Sequence, residues 1–371
     1  MDWLAFDWLV DYYQNSNLKL RLLFISIIVL IFLCVAVLLI LIFLRMKLYK
    51  RRNKKKNLKT IYEELIITLL YLDPEGPGYE EERDDIFYEL KYAVKSRTER
   101  NILNEILINL HRDIAGDMAI RIQDIFHELG LVAYALKKLK SSKWYIKIQG
   151  IRELTQIEER SIQEEVLKLV DHKNALLRNE AQLTILRLFE YKGLLFLKDL
   201  QYPISEWQQL QLMAVIQKNP ALITNQLSHL LESKNVTVVQ FTLKLIHLFN
   251  QMIDPEKLKI LVKHKNVWIR IKAVELISEL GYFDLKPFLK NQYHFLGKSE
   301  KLAVVKVFSY LGTEEDLEFL IERSEENDFK ISYNALLVMK DVLSVDLFKD
   351  KMKTVQVKNR DVYNYIMKQV G

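Results

Sequence analysis

The chain contains one cysteine, ten glycines and six prolines among 371 residues, and each scarcity closes off a class of protein. A lone Cys34 excludes an intrachain disulfide framework and any metal site built on several thiolates of one chain. So few Gly and Pro leave little punctuation. With half of the residues apolar and 27% charged, the chain reads as long helices joined by short turns, an all-α protein.

Motifs that carry chemistry are also scarce. Gly297, Lys298 and Ser299 resemble the end of a phosphate-binding loop, but that motif needs a further glycine where Gln292 stands, and a strand before it. His127-Glu128 lacks the second histidine of a zinc-protease helix. His172 and His264 are 92 residues apart, the same separation as Asn174 and Asn266, so they read as one position in two repeats and not as ligands of one ion. No nucleophile elbow, glycine-rich cofactor loop or Cys/His pair occurs. The residues therefore predict no catalytic group, no cofactor, no metal and no small-molecule substrate.

Net charge is +6, but it is unevenly placed. The first 59 residues hold 11 Lys/Arg against three Asp, a net of +8; the rest holds 43 basic and 45 acidic residues, a net of −2. A duplex binder normally needs a basic face to displace counterions from phosphates, so the nearly neutral remainder disfavours nucleic acid as a partner.

What the sequence does have is a run of 23 residues, 22–44, without a charge, proline or glycine. As a helix it would be roughly 34 Å long, enough for a hydrocarbon core of about 30 Å. A cleaved signal peptide would have a shorter core, charges ahead of it and a small-residue cleavage site behind it; here Arg45 and a basic run follow. Nine Lys/Arg between Arg45 and Lys59, against Lys19 and Arg21 on the other side, place the C-terminal side in the cytoplasm by the positive-inside rule. The run Lys50 to Lys56 then reads as a stop-transfer signal, with a lipid-specific role as the alternative. Residues 1–21 become a short extracytoplasmic segment, and Trp3, Phe6, Trp8, Tyr12 and Tyr13 suit the headgroup layer. The Lys-, Ile- and Asn-rich composition fits a bacterial inner (plasma) membrane protein crossing once.

Beyond a basic juxtamembrane segment, 45–59, self-similarity organises the chain. LKLVDHKNALLRNEAQLTILRLF (167–189), LSHLLESKNVTVVQFTLKLIHLF (227–249) and LKILVKHKNVWIRIKAVELISEL (258–280) align without gaps. Each has an apolar helix, a polar turn with Asn174, Asn235 or Asn266, and a second amphipathic helix. Taking the small or apolar residue in the middle of that second helix gives Gly150, Ala181, Leu212, Thr242, Ala273, Val304 and Ala335, in steps of 31, 31, 30, 31, 31 and 31. A weaker copy, DMAIRIQDIFHELG (117–130), matches IRIKAVELISELG (269–281) out of strict phase. Pro220, Pro255 and Pro287 fall where first helices should begin, a position that tolerates a missing N–H.

The polar turn followed by an apolar residue, an arginine and a small residue three positions on (Asn174, Leu177, Arg178, Ala181; Asn266, Ile269, Arg270, Ala273) resembles the HEAT/armadillo family of helical-hairpin repeats. The resemblance covers about 135–342 well and 61–130 loosely, and the arginine is replaced at Val239. It implies an α-solenoid of about seven to eight hairpins, with Arg178 and Arg270 forming a structural ladder or contacting a partner. The predicted organisation is a helical region over 60–134, broken by a Pro/Gly/acidic loop over 72–85, and a repeat array over 135–371.

Trp144 and Trp268 are 124 residues apart, four periods, and Trp207 is one position off that phase. Large aromatics at an exposed repeat position are good partner anchors, and core packing is the alternative reading of the same residues. Trp144, Trp207, Trp268, Arg178 and Arg270 are thus the candidate partner-binding residues, and the function expected is a membrane-anchored, non-catalytic scaffold for a cytosolic-face protein, with envelope machinery such as a polysaccharide-synthesising glycosyltransferase as one client class. The competing expectation is a tethered enzyme, since some helical-repeat families act as chromophore lyases or as DNA glycosylases for alkylated bases.

Overall fold

A computed structural model of the chain describes residues 17–220, 223, 227–343, 347–348, 351 and 364–366. The aromatics expected in the headgroup layer, Trp3 to Tyr13, and most of the last 20 residues of the expected array lie outside the described residues. Among the described residues all regular structure is helical. The chain divides into two compact units, 1–134 and 135–371.

In the first unit, α1 (Leu18–Tyr71) is one uninterrupted helix of 54 residues that takes in the apolar run, the basic stretch and the residues beyond it. No Gly or Pro falls within it, and Lys, Arg and Leu are good helix formers, so nothing in the basic stretch stops propagation. Its N-terminal half is long and apolar enough to cross a membrane, and its apolar side chains face outward on all sides. Its C-terminal end is different. Tyr62, Ile66, Leu69 and Leu70 are buried against α2 (Tyr79–Lys95), α3 (Arg97–Asp113) and α4 (Asp117–Glu128). The Tyr62 hydroxyl donates to Glu99 at 2.7 Å, and the Arg121 guanidinium donates to the Leu70 carbonyl at 3.1 Å, covering the free end of α1.

The break after α1 is shorter than the expected loop over 72–85. A turn runs from Leu72 to Gly78, which has φ +83°, and α2 starts at Tyr79. Glu80, Glu81 and Glu82 fall in its first turn, where negative charge meets the positive end of the helix dipole, so the acidic cluster that reads as loop-forming favours a helix N-terminus instead.

The division between the units falls within α5 (Leu131–Leu139). The second unit then alternates short and long helices. The long ones are α6 (Trp144–Gln156), α8 (Ala175–Leu188), α9 (Glu206–Lys218), α11 (Val236–Phe249), α13 (Val267–Glu279), α15 (Lys298–Leu311) and α17 (Phe329–Val342); the short ones are α7 (Gln163–Leu167), α10 (Leu227–Leu230), α12 (Pro255–Val262), α14 (Lys286–Gln292) and α16 (Leu317–Ser324). The long helices begin at 144, 175, 206, 236, 267, 298 and 329, in steps of 31, 31, 30, 31, 31 and 31. Pro255 and Pro287 lie in the first turns of α12 and α14. Within α8–α9 and α11–α13–α15–α17 each long helix packs on the next, and short helices pack on their long partners.

The residue at the in-phase position is buried in every long helix. In α6 it must be glycine. A Cβ at Gly150 would stand 2.6 Å from the Leu139 nitrogen and 2.7 Å from the Ala135 carbonyl oxygen, so α5 and α6 meet backbone to helix with no room for a methyl. Polar pairs join successive long helices above this core: Thr155 with Thr184 at 2.9 Å, Arg152 with Glu180 at 2.8 Å, Asn179 with Gln211 at 2.8 Å, and His247 with Glu279 at 2.6 Å.

Candidate partner-binding surface

Several long helices are launched by a capping side chain in the polar turn before them, and the turns at 172–178 and 264–270 share a wiring scheme. At 172–178, His172 Nδ1 accepts the Asn174 N–H at 3.0 Å, the Asn174 side chain accepts the N–H groups of Leu176 and Leu177, and Arg178 donates back to the His172 carbonyl at 2.6 Å. At 264–270, His264 Nδ1 accepts the Asn266 N–H at 3.0 Å, Asn266 caps Ile269, and Arg270 donates to the His264 and Lys265 carbonyls at 2.7 and 3.0 Å. The asparagine satisfies orphan N–H groups of the helix start while the arginine closes the turn behind it. Ser141 and Ser233 stand in the histidine position of two other turns and accept the Lys143 and Asn235 N–H groups, both at 3.2 Å.

This wiring settles where two candidate residues point. Arg178 is buried, turned onto the carbonyls of its own turn and stacked over the Tyr202 ring at 4.7 Å. Arg270 reaches further, its Nε donating to the buried Glu300 carboxylate of α15 at 2.8 Å. Both guanidinium groups are engaged with the protein itself. Both histidines spend Nδ1 on a backbone N–H, which requires the ring in the tautomer unprotonated at that atom. Burial first, and the neighbouring Arg270 and Lys265 charges second, hold His264 below the usual histidine range.

The three tryptophans lie elsewhere. Trp144, Trp207 and Trp268 occupy the first turns of α6, α9 and α13 and are 41%, 67% and 38% exposed. Lys244 lies over the Trp268 ring at 5.7 Å. The same first turn carries further exposed apolar residues that sequence reasoning missed: Leu176 of α8, Val236 of α11 and Phe329 of α17. The signal was present, since Leu176 precedes Trp207 by 31 residues, but nothing local distinguishes an exposed leucine from a core one. Only α15 breaks the row, opening with Lys298 and Ser299.

Open grooves run along the surface between some packed long helices. One of about 440 Å³ between α13 and α15 has Ile271, Leu302, Ala303 and Val307 along its floor and Glu275, Glu279, Lys306 and Tyr310 among its walls. Another of about 400 Å³ between α8 and α9 is lined by Leu183, Leu186, Ala214 and Val215, with Arg187 and Lys218 beside them.

The phosphate-loop fragment at Gly297 has a different use. It starts α15, and the Glu300 carboxylate lies so close that a Cβ on Gly297 would stand 2.8 Å from its oxygen. An acid held there by Arg270 repels phosphate. Among the described residues no three His, Cys, Asp or Glu side chains converge as a metal site would require. Just before α16 Asp316 is buried, which raises its carboxyl, but hydrogen bonds from Lys286 and Lys290, each at 2.7 Å, outweigh that and hold it below its ordinary value.

No protein-family model matches the chain, and no curated protein is similar enough to count as a relative.

Proposed function

We propose that the chain is a single-pass membrane protein whose second unit is an α-solenoid of HEAT-like hairpins, held in the cytoplasm under the inner (plasma) membrane as a non-catalytic scaffold for a protein partner. The observation that carries this reading is the row of apolar side chains at the first turns of the long helices. Exposed or half-exposed tryptophans recur in the first turns of α6, α9 and α13, Trp144 as the first residue and Trp207 and Trp268 as the second, and exposed aromatic anchors are the residues that dominate protein interfaces. The 31-residue step of the helices and the buried in-phase residues support stacking as a solenoid, which presents such a row as one extended edge. Anchoring confines the search for a partner to the membrane surface and raises its effective concentration. A membrane-bound enzyme of envelope assembly, such as a polysaccharide-synthesising glycosyltransferase, is the client class proposed; Arg178 and Arg270 serve the turns and not the partner.

The test is site-specific photo-crosslinking from position 207 in intact membranes, beside affinity capture of the full chain with Trp144, Trp207 and Trp268 all changed to Ala. One discrete crosslinked protein, captured by the parent chain and lost at least about tenfold with the triple variant, is the expected result, since anchors of this kind contribute roughly 2 kcal/mol or more each. Unchanged capture by a triple variant with native circular dichroism would sink the proposed edge.

A further inference from the structure

We infer that the cations following the apolar run of α1 form a binding collar for anionic phospholipid headgroups, and that the basic stretch divides at Lys55 between lipid and protein. This rests on reading α1 as a membrane span. Between Arg45 and Lys59 there are nine Lys/Arg and no acid, and the first acid after the apolar run is Glu63. The stretch stays helical throughout, so each cation sits at a fixed depth and bearing. At 1.5 Å per residue, Arg45 to Lys54 covers about 14 Å along the axis. That is close to the thickness of one headgroup layer, roughly 5–8 Å, plus one Debye length of about 8 Å at physiological salt.

The ion pairs follow the same division. Lys55 and Lys59, the outer cations, pair with Glu105 of α3 at 2.8 and 3.7 Å. The Lys55 hydrogen bond first, and the charges of both lysines with it, hold the Glu105 carboxyl below its ordinary value even though burial pushes it up. Arg45, Lys47, Lys50, Arg51, Arg52 and Lys54 form no ion pair among the described residues and are exposed; beyond Lys55 in this stretch only Lys56 is likewise exposed and without an ion pair. At 100° per residue they occupy two opposite sides of the helix: Arg45 and Arg52 share one, while Lys47, Lys50, Arg51 and Lys54 lie toward the other. A protein groove or a duplex would meet one face of such a column. Headgroups packed around the helix meet both sides at once, and each cation near an anionic surface contributes about 1 kcal/mol, close to fivefold.

The experiment uses the full chain in micelles doped with equal, differently labelled phosphatidylglycerol and phosphatidylcholine, with retained lipid counted after detergent washing. The parent chain is expected to keep phosphatidylglycerol over phosphatidylcholine by at least about tenfold. Changing Lys47, Lys50, Arg51, Arg52 and Lys54 to Gln should bring the ratio close to one. That variant keeps Arg45, Lys55, Lys56 and Lys59 against Lys19 and Arg21, so the orientation bias survives. Should the variant fail to fold, the parent chain alone still decides: its preference must fall toward one as salt is raised to 1 M, and a preference indifferent to salt overturns the collar. Displacement of phosphatidylglycerol by 10 mM inorganic phosphate would mean a free-anion site and would overturn the lipid assignment. Carbonate extraction of native membranes separates the two readings. A chain washed off by carbonate loses the span itself, whereas a chain that resists carbonate but binds both lipids equally loses only the collar.

Discussion

The turns at 172–178 and 264–270 keep a histidine and an arginine that the turn at 233–239 replaces with Ser233 and Val239, yet all three launch a long helix in the same way. Ser233 accepts the Asn235 N–H as the histidines accept theirs. In place of an arginine closing the turn from behind, Asn235 uses its Nδ2 to reach the Leu200 and Tyr202 carbonyls of the preceding turn at 3.0 and 2.9 Å. What recurs is therefore a set of satisfied backbone groups, and residue identity is secondary to it. Residues that look chemically potent in the sequence, His172, His264, Arg178 and Arg270, perform work that serine and asparagine also perform.

The comparison breaks most sharply at Arg270. Changing it to Met leaves the buried Glu300 carboxylate without its partner and should cost about 3–5 kcal/mol, read as a fall in the thermal midpoint of the full chain in detergent. The matching change at Arg178, which pairs with no carboxylate among the contacts seen here, should cost about 1–2 kcal/mol. Equal losses would show that the Glu300 pair contributes nothing beyond the turn. Next in size is Asn235→Ala. It removes a cap and two bonds to the preceding turn, so a loss of about 2–3 kcal/mol is expected, against about 1 kcal/mol for Asn174→Ala or Asn266→Ala. If the three asparagines prove equivalent, Asn235 does not substitute for the missing arginine.

The smallest effect separates histidine from serine. A His264 held below its usual range binds fewer protons folded than unfolded, so stability is fully present above a pH of about 6.5 and is lost as pH falls through the folded value. His264→Ser keeps an acceptor for the Asn266 N–H and removes the titration. Its midpoint should vary less than the parent's between about pH 7.5 and 5, and parallel curves would show that the His264 ring does not titrate with unfolding.

Much of the fold was legible in the chain. The apolar run located the N-terminal half of α1, though not its unbroken continuation through the basic stretch to Tyr71, and six nearly equal steps located the long helices, because both are properties of local sequence and spacing. The acidic cluster after Gly78 misled, since Pro and Gly marked a loop while three glutamates favoured a helix start inside it. The candidate surface was half legible. Recurrence singled out three tryptophans and two arginines, and only the tryptophans face solvent.

The sequence by itself determined the length of the apolar run, the asymmetry of charge around it and the period of the helices that follow, for these depend on the order of residues along one chain segment. Tertiary structure alone decided that Arg270 faces Glu300, 30 residues on, that Gly150 has no room for a methyl beside Ala135, and that Lys55 turns to Glu105 while Lys54 does not. Which side of a helix is covered depends on neighbours brought up by the fold, and a periodic pattern shows that a face exists without showing what stands against it.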